Sequence, residues 1–156
     1  MARKYYLTKQ GLKKIEKEFE DLKKLRLAKT KGDTPSLLQS DDINPEYVAF
    51  REDLSFLESR IVELKYIFKN IELIKLPPKS KRNIVHLGAT VTLEESDGGI
   101  NEFKIVGTLE ANPNEGKISS ESPIGKDLLG HKLNDKIEVT SPIKVMYKIK
   151  KINYSS

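Results

Sequence analysis

The chain has 156 residues and a formal net charge of +5, with 33% charged against 37% hydrophobic side chains, the balance of a soluble folded protein of one domain or two small ones. It contains no cysteine, which excludes disulfides and thiolate metal sites, and only His86 and His131 offer imidazole nitrogen. No apolar run approaches the roughly 18 residues of a membrane span, and the N-terminus MARKYYLTKQ lacks the apolar core of a signal peptide. A cytoplasmic location with no membrane partner is therefore expected.

Thr8 is a competent N-cap for a first helix, in which Leu12, Ile15, Phe19 and Leu22 recur at helical spacing until Lys31-Gly32 ends it. A second helix has a cleaner start: Asn44 can cap and Pro45 suits the first helical position. From there Tyr47, Phe50, Leu54, Leu57, Ile61, Leu64, Phe68 and Ile71 alternate steps of three and four. So narrow a stripe is a seam for one partner helix. The economical solution is an antiparallel hairpin with helix one in a monomer, and the alternative is pairing between two chains. At 1.5 Å per residue the arms reach roughly 35 and 45 Å, the second running to about Ile74.

Between the helices lies GDTPSLLQSDDINPE, residues 32–46, which holds Asp33, Asp41, Asp42 and Glu46 and no basic residue. Residues 1–31, by contrast, hold eleven Lys or Arg against four acids, so the charge changes sign at the tip. Thr34-Pro35 is a capping signal for a short extra helical turn that would present Asp41 and Asp42 near the apex.

Leu76-Pro77-Pro78-Lys79-Ser80-Lys81 breaks the helical period and reads as a boundary, giving a hairpin domain over residues 1–76, a linker at 77–81 and a second domain over 82–156. In the second domain, residues 85–93 and 102–109 flank Asp97-Gly98-Gly99 as a β-hairpin should. Residues 117–119, 136–140 and 144–152 read as further strands, and residues 122–130 as a short helix or turn ending at glycine. An α+β fold follows, with an antiparallel sheet after the helices. No phosphate-binding glycine loop and no Ser/His/Asp or Cys/His grouping is present.

The stretches YYLTKQGLKKIEKEFEDLK, NPEYVAFREDLSFLESRI, HLGATVTLE and SSESPIGKDLLGHKLNDKIEV, taken in this order, resemble the bacterial Gre family of transcript-cleavage factors over essentially the whole chain. The resemblance implies a coiled-coil hairpin followed by an FKBP-like sheet domain, in an accessory factor that is not itself an enzyme. Its implied partners are RNA polymerase, entered through the secondary channel, and the RNA 3′ end of a backtracked transcript. No cofactor of its own is implied; tip carboxylates would share an Mg²⁺ with the polymerase while it cleaves the RNA. A Gre-fold regulator that binds the channel without stimulating cleavage is the alternative.

The tip departs from the family pattern, in which an Asp and a Glu stand three residues apart. Aligned back from Glu46-Tyr47, the chain keeps Asn44 but places Ser40 and Ile43 at the two acidic positions, with Asp41 and Asp42 one residue away. The resemblance thus makes Asp41 and Asp42 the metal-assisting acids, with Glu46 as a further candidate; the competing account has these residues capping a helix, favouring its dipole or facing water. Arg51 matches a family arginine near RNA, and with Lys29 and Lys31 it could contact phosphate or form a solvated face. Ser122, Pro123, Ile124 and Gly125 match the family's polymerase-docking loop, in which Ile124 either anchors the partner or closes the core.

Overall fold

The computed structural model describes residues 3–140 and 143–154. Contacts divide the chain into two compact units: residues 12–70, and residues 3–11 together with the chain from Ile71 onward. The contacts thus change over at residues 70–71, ahead of the Pro-rich stretch 77–81 that breaks the helical period. The first strand, β1 (Tyr5–Leu7), pairs in parallel with β4 (Ile71–Leu73), which is why residues 3–11 belong with the chain from Ile71.

The helical unit is a hairpin. Helix α1 (Lys9–Lys31) starts at the residue after Thr8 and stops before Gly32, while α2 (Pro45–Lys69) starts where Asn44-Pro45 predicts. Their side chains meet in antiparallel order. Arg60 of α2 donates to Glu18 of α1 at 2.7 and 3.2 Å, Phe68 meets Phe19 edge-on with centroids 5.2 Å apart, and Lys29 Nζ lies 3.6 Å from Asp53. The intramolecular pairing is thus the one the chain adopts. Leu54, Leu57, Ile61, Leu64 and Ile67 are buried along α2, each side chain worth about 1.5–3 kcal/mol when fully removed from water.

The seam departs from expectation at its far end. Phe68 meets Phe19 as a seam residue should but is only partly buried, Ile67 beside it is fully buried, and the helix stops at Lys69 rather than running to Ile74. Asn70 caps it, its Nδ2 donating to the Tyr66 carbonyl at 2.8 Å, and Ile71 turns into β4. An apolar residue at helical spacing is equally suited to a strand.

The sheet unit carries five strands in the order β7-β6-β5-β9-β8, from β5 (Ala89–Glu95), β6 (Ile100–Val106), β7 (Lys117–Ser119), β8 (Lys136–Val139) and β9 (Val145–Tyr154). The fold class is α+β as expected, but the sheet is mixed rather than wholly antiparallel, because β7 pairs with β6 in parallel, Ile118 opposite Ile105. Residues 107–116 form the connection, and Asn112 closes it with a backbone bridge to Lys117. The predicted hairpin turn is present: Gly98 has φ 93°, a conformation glycine adopts without cost. Val91, Leu93, Ile105 and Ile149 of the sheet bury their side chains against Leu128 of the short helix α3 (Pro123–Leu128).

Glu110 ties β1 and the start of α1 to this unit. Its carboxylate accepts from the Thr8 backbone N–H at 2.8 Å and from the Thr8 hydroxyl at 2.6 Å, while Thr8 Oγ1 accepts the Gly11 N–H at 3.0 Å. Thr8 therefore caps the helix as the sequence suggests, and an acid some hundred residues away holds the cap.

Candidate functional site at the hairpin tip

The predicted helical turn after Thr34-Pro35 is absent. Instead the tip is a two-stranded β-hairpin, β2 (Leu38–Gln39) against β3 (Asp42–Ile43), with Leu38 opposite Ile43 and Gln39 opposite Asp42. Two residues, Ser40 and Asp41, make the reversal, and Ser40 has φ 58°. Two-residue hairpin loops need positive φ in the turn to match strand twist, and this requirement outweighs the residue preference, since serine takes such values reluctantly.

Asn44 joins this small hairpin to the long one. Its Oδ1 accepts the Glu46 N–H at 3.0 Å, which caps α2, and its Nδ2 donates to the Ser36 carbonyl at 2.9 Å. Its own N–H donates to the Leu37 carbonyl at 2.9 Å. One side chain thus fixes both the first turn of α2 and the strand that leads into the tip. The sequence showed its capping half; the bond to Ser36 required the fold.

The predicted acids are distributed accordingly. Asp41 sits in the reversal and Asp42 begins β3, and both are exposed. Glu46 is exposed in the first turn of α2, where a carboxylate favours the helix dipole. Asp33 lies beyond the end of α1, away from the reversal in sequence. Among the described residues no three His, Asp or Glu side chains gather as a metal site. Adjacent exposed carboxylates suit a hard cation such as Mg²⁺, but two of them make only part of its oxygen shell.

Below the tip, Lys29 faces α2, its ammonium 5.2 Å from the Phe50 ring centroid and paired to Asp53. It therefore reaches α2 at the turn that carries the exposed Arg51. Lys31, also exposed, ends α1. In the sheet unit, Ser122 Oγ accepts the Gly125 N–H at 3.1 Å and donates to the Ser119 carbonyl at 2.6 Å, and Pro123 occupies the first turn of α3. Ile124 packs on the sheet core while partly exposed, and Gly125 is buried, so Pro123 is the exposed apolar member of the loop.

The family model described as "Transcription elongation factor, N-terminal" (GreA_GreB_N) matches residues 5–73, and the model "Transcription elongation factor, GreA/GreB, C-term" matches residues 79–154. The chain belongs to the GreA/GreB family of transcription elongation factors. Among relatives, the transcription elongation factor GreA of Thermomicrobium roseum is 38% identical over 138 residues, 87% of this chain and 88% of that one. GreA of Halalkalibacterium halodurans is 36% identical over 150 residues, 90% of each chain. The solved structure of GreA factor homolog 1 (Gfh1) of Thermus thermophilus aligns over 97% of this chain and 99% of its own, at 27% identity and a TM-score of 0.44. Among the described residues no helix is long and apolar enough to cross a membrane.

Proposed function

We propose that this Gre-family elongation factor binds bacterial RNA polymerase, enters its secondary channel with the helical hairpin, and stimulates the polymerase's own cleavage of backtracked RNA. The observation that carries the reading is the placement of Asp41 and Asp42, exposed in and beside the reversal of a β-hairpin that Asn44 fastens to the end of a helical arm. The names of the relatives, transcription elongation factor GreA, supply the process.

In this reading Asp41 and Asp42 lend oxygen ligands to the polymerase's catalytic centre, and a shared Mg²⁺ there would stabilise charge on the attacking and leaving oxygens. The chain's own work is positioning. The seam of α2 pairs the two helices of the arm, Asn44 holds the tip, and Lys31 and Arg51 attract RNA phosphates below the acids. Ser122 and Pro123, on a capped and therefore rigid helix start, provide the docking surface, with Ile124 and Gly125 supporting it from beneath.

A second reading, a channel-binding regulator without cleavage activity, is favoured by the tip itself, whose adjacent acids differ from the spaced Asp and Glu of the family pattern. Stalled polymerase complexes separate the two. Wild type should shorten the backtracked RNA, and Asp41→Asn/Asp42→Asn should bind equally well yet lose at least about tenfold in stimulated rate, the scale of one or two lost charge-stabilising groups. Wild type that binds without shortening RNA selects the regulator, and wild type that does not bind removes both readings.

A further inference from the structure

The sheet unit contains a cavity of about 500 Å³ that the reading above does not use. The start of α1, the chain leaving β4 and the middle of β6 enclose it. Its apolar wall is Leu73, Ile74 and Leu76, and its ionisable lining groups are Lys9, Lys75 and Lys104, with no acid among them. Among the described residues none of these lysines has an ion-pair partner. Leu73 and Leu76 remain 38% and 36% exposed beside them.

We infer that this cavity is a binding site for a small anion with an apolar body, a carboxylate, sulfonate or phosphate carried on a short alkyl chain or an aromatic ring. The lining carries three positive charges and no acid, Lys9 and Lys75 being exposed and Lys104 partly buried, so a bound anion would meet uncompensated cations while its body covers the exposed leucines. The volume lies within the range of small-molecule pockets, which combine apolar walls with a few polar groups in this way. Neither half of the ligand suffices alone. A bare anion leaves Leu73 and Leu76 wet, and an uncharged hydrocarbon leaves the lysine charges uncompensated. The inference is independent of polymerase binding.

The test uses the full chain and two probes, decanoate for an alkyl body and naphthalene-1-sulfonate for a ring, with inorganic phosphate as the bare anion. Titration followed by amide chemical shifts should move Leu73, Ile74 and Gly88 with at least one organic probe, and which probe binds tighter identifies the body. Lys75→Gln/Lys104→Gln should weaken that binding by about tenfold, the loss of two rim charge contacts, whereas Lys126→Gln, on α3, should leave it unchanged. Amide spectra of the variants report folding directly. Phosphate binding as tightly as the organic probes would overturn the inference, as would shift changes elsewhere only, or affinity insensitive to the paired substitution.

Discussion

Replacing Asn44 by serine separates two jobs that the asparagine side chain does at once. Serine caps helices about as well as asparagine, so the bond to the Glu46 N–H is conserved in kind and the change at the cap itself should cost no more than about 0.5 kcal/mol. The short hydroxyl cannot also span to the Ser36 carbonyl, which now accepts from Asn44 Nδ2 at 2.9 Å. A neutral hydrogen bond of this kind contributes about 1 kcal/mol net, which is roughly fivefold in the ratio of held to displaced tips. If Asp41 and Asp42 act only when held, and docking uses the sheet unit as proposed, the maximal rate of stimulated RNA cleavage at saturating factor should fall by up to about fivefold with half-saturation unchanged. The assay is RNA shortening in stalled complexes across a range of factor concentrations, paired with thermal unfolding of the free protein. Asn44→Ala is the reference that loses both bonds, and the lost cap alone should cost about 1 kcal/mol more stability than the serine variant loses. A serine variant that reaches the full wild-type maximum would refute the reasoning, and so would one that loses affinity while keeping its maximum.

Two further perturbations test the sheet unit. A Cβ added at Gly125 would collide with the Ser119 carbonyl oxygen, so Gly125→Ala should displace the start of α3 and cost about 1–3 kcal/mol, seen as a lower urea midpoint at unchanged slope; an unchanged midpoint would show that the loop moves freely. The Lys132 backbone N–H, helped by the His131 ring, holds the Asp135 carboxyl below its ordinary value of 3.8. A depressed carboxylate stabilises the fold above its unfolded pKa, and that contribution is lost as pH falls from about 3.8 through the lower folded value. Asp135→Asn should therefore flatten the acid side of the stability profile, and identical acid limbs in the two proteins would exclude the linkage.

What could be read from the sequence was what neighbouring residues decide. Asn44-Pro45 and the apolar steps from Leu54 to Leu64 mark α2 without reference to anything distant, and Asp97-Gly98-Gly99 likewise marks its turn. The misreadings involve partners far along the chain. Ile71 extends the helical spacing perfectly well, and only β1, more than sixty residues earlier, makes it a strand. The parallel pairing of β7 depends on how residues 107–116 cross, and no local pattern encodes it. Glu110 carries no signal as the partner of Thr8 until the fold places it there. At the tip the local signals conflict: Thr34-Pro35 suggests a helical start, yet Leu38 and Ile43 pair as strands around a serine in a conformation that favours glycine.

That conflict bears on how activity changes within this architecture. Between residues 32 and 46 no side chain is buried; only Pro35 and Asn44 are even partly so. The shape of the tip therefore rests on the β2–β3 pairing and on the bonds of Asn44 rather than on packing. Substitution of an exposed, unpacked residue is usually worth less than about 0.5 kcal/mol, whereas truncating Ile61 or Leu64 in the seam would cost about 2–5 kcal/mol. The arm is thus constrained by stability and the apex is not. An acid can move from one tip position to its neighbour, as Asp41 and Asp42 stand beside the family's positions, at almost no cost to the fold. Under the proposed function its whole effect would fall on where the carboxylate reaches in the polymerase, a reach that the β2–β3 pairing and the Asn44 bonds together would set.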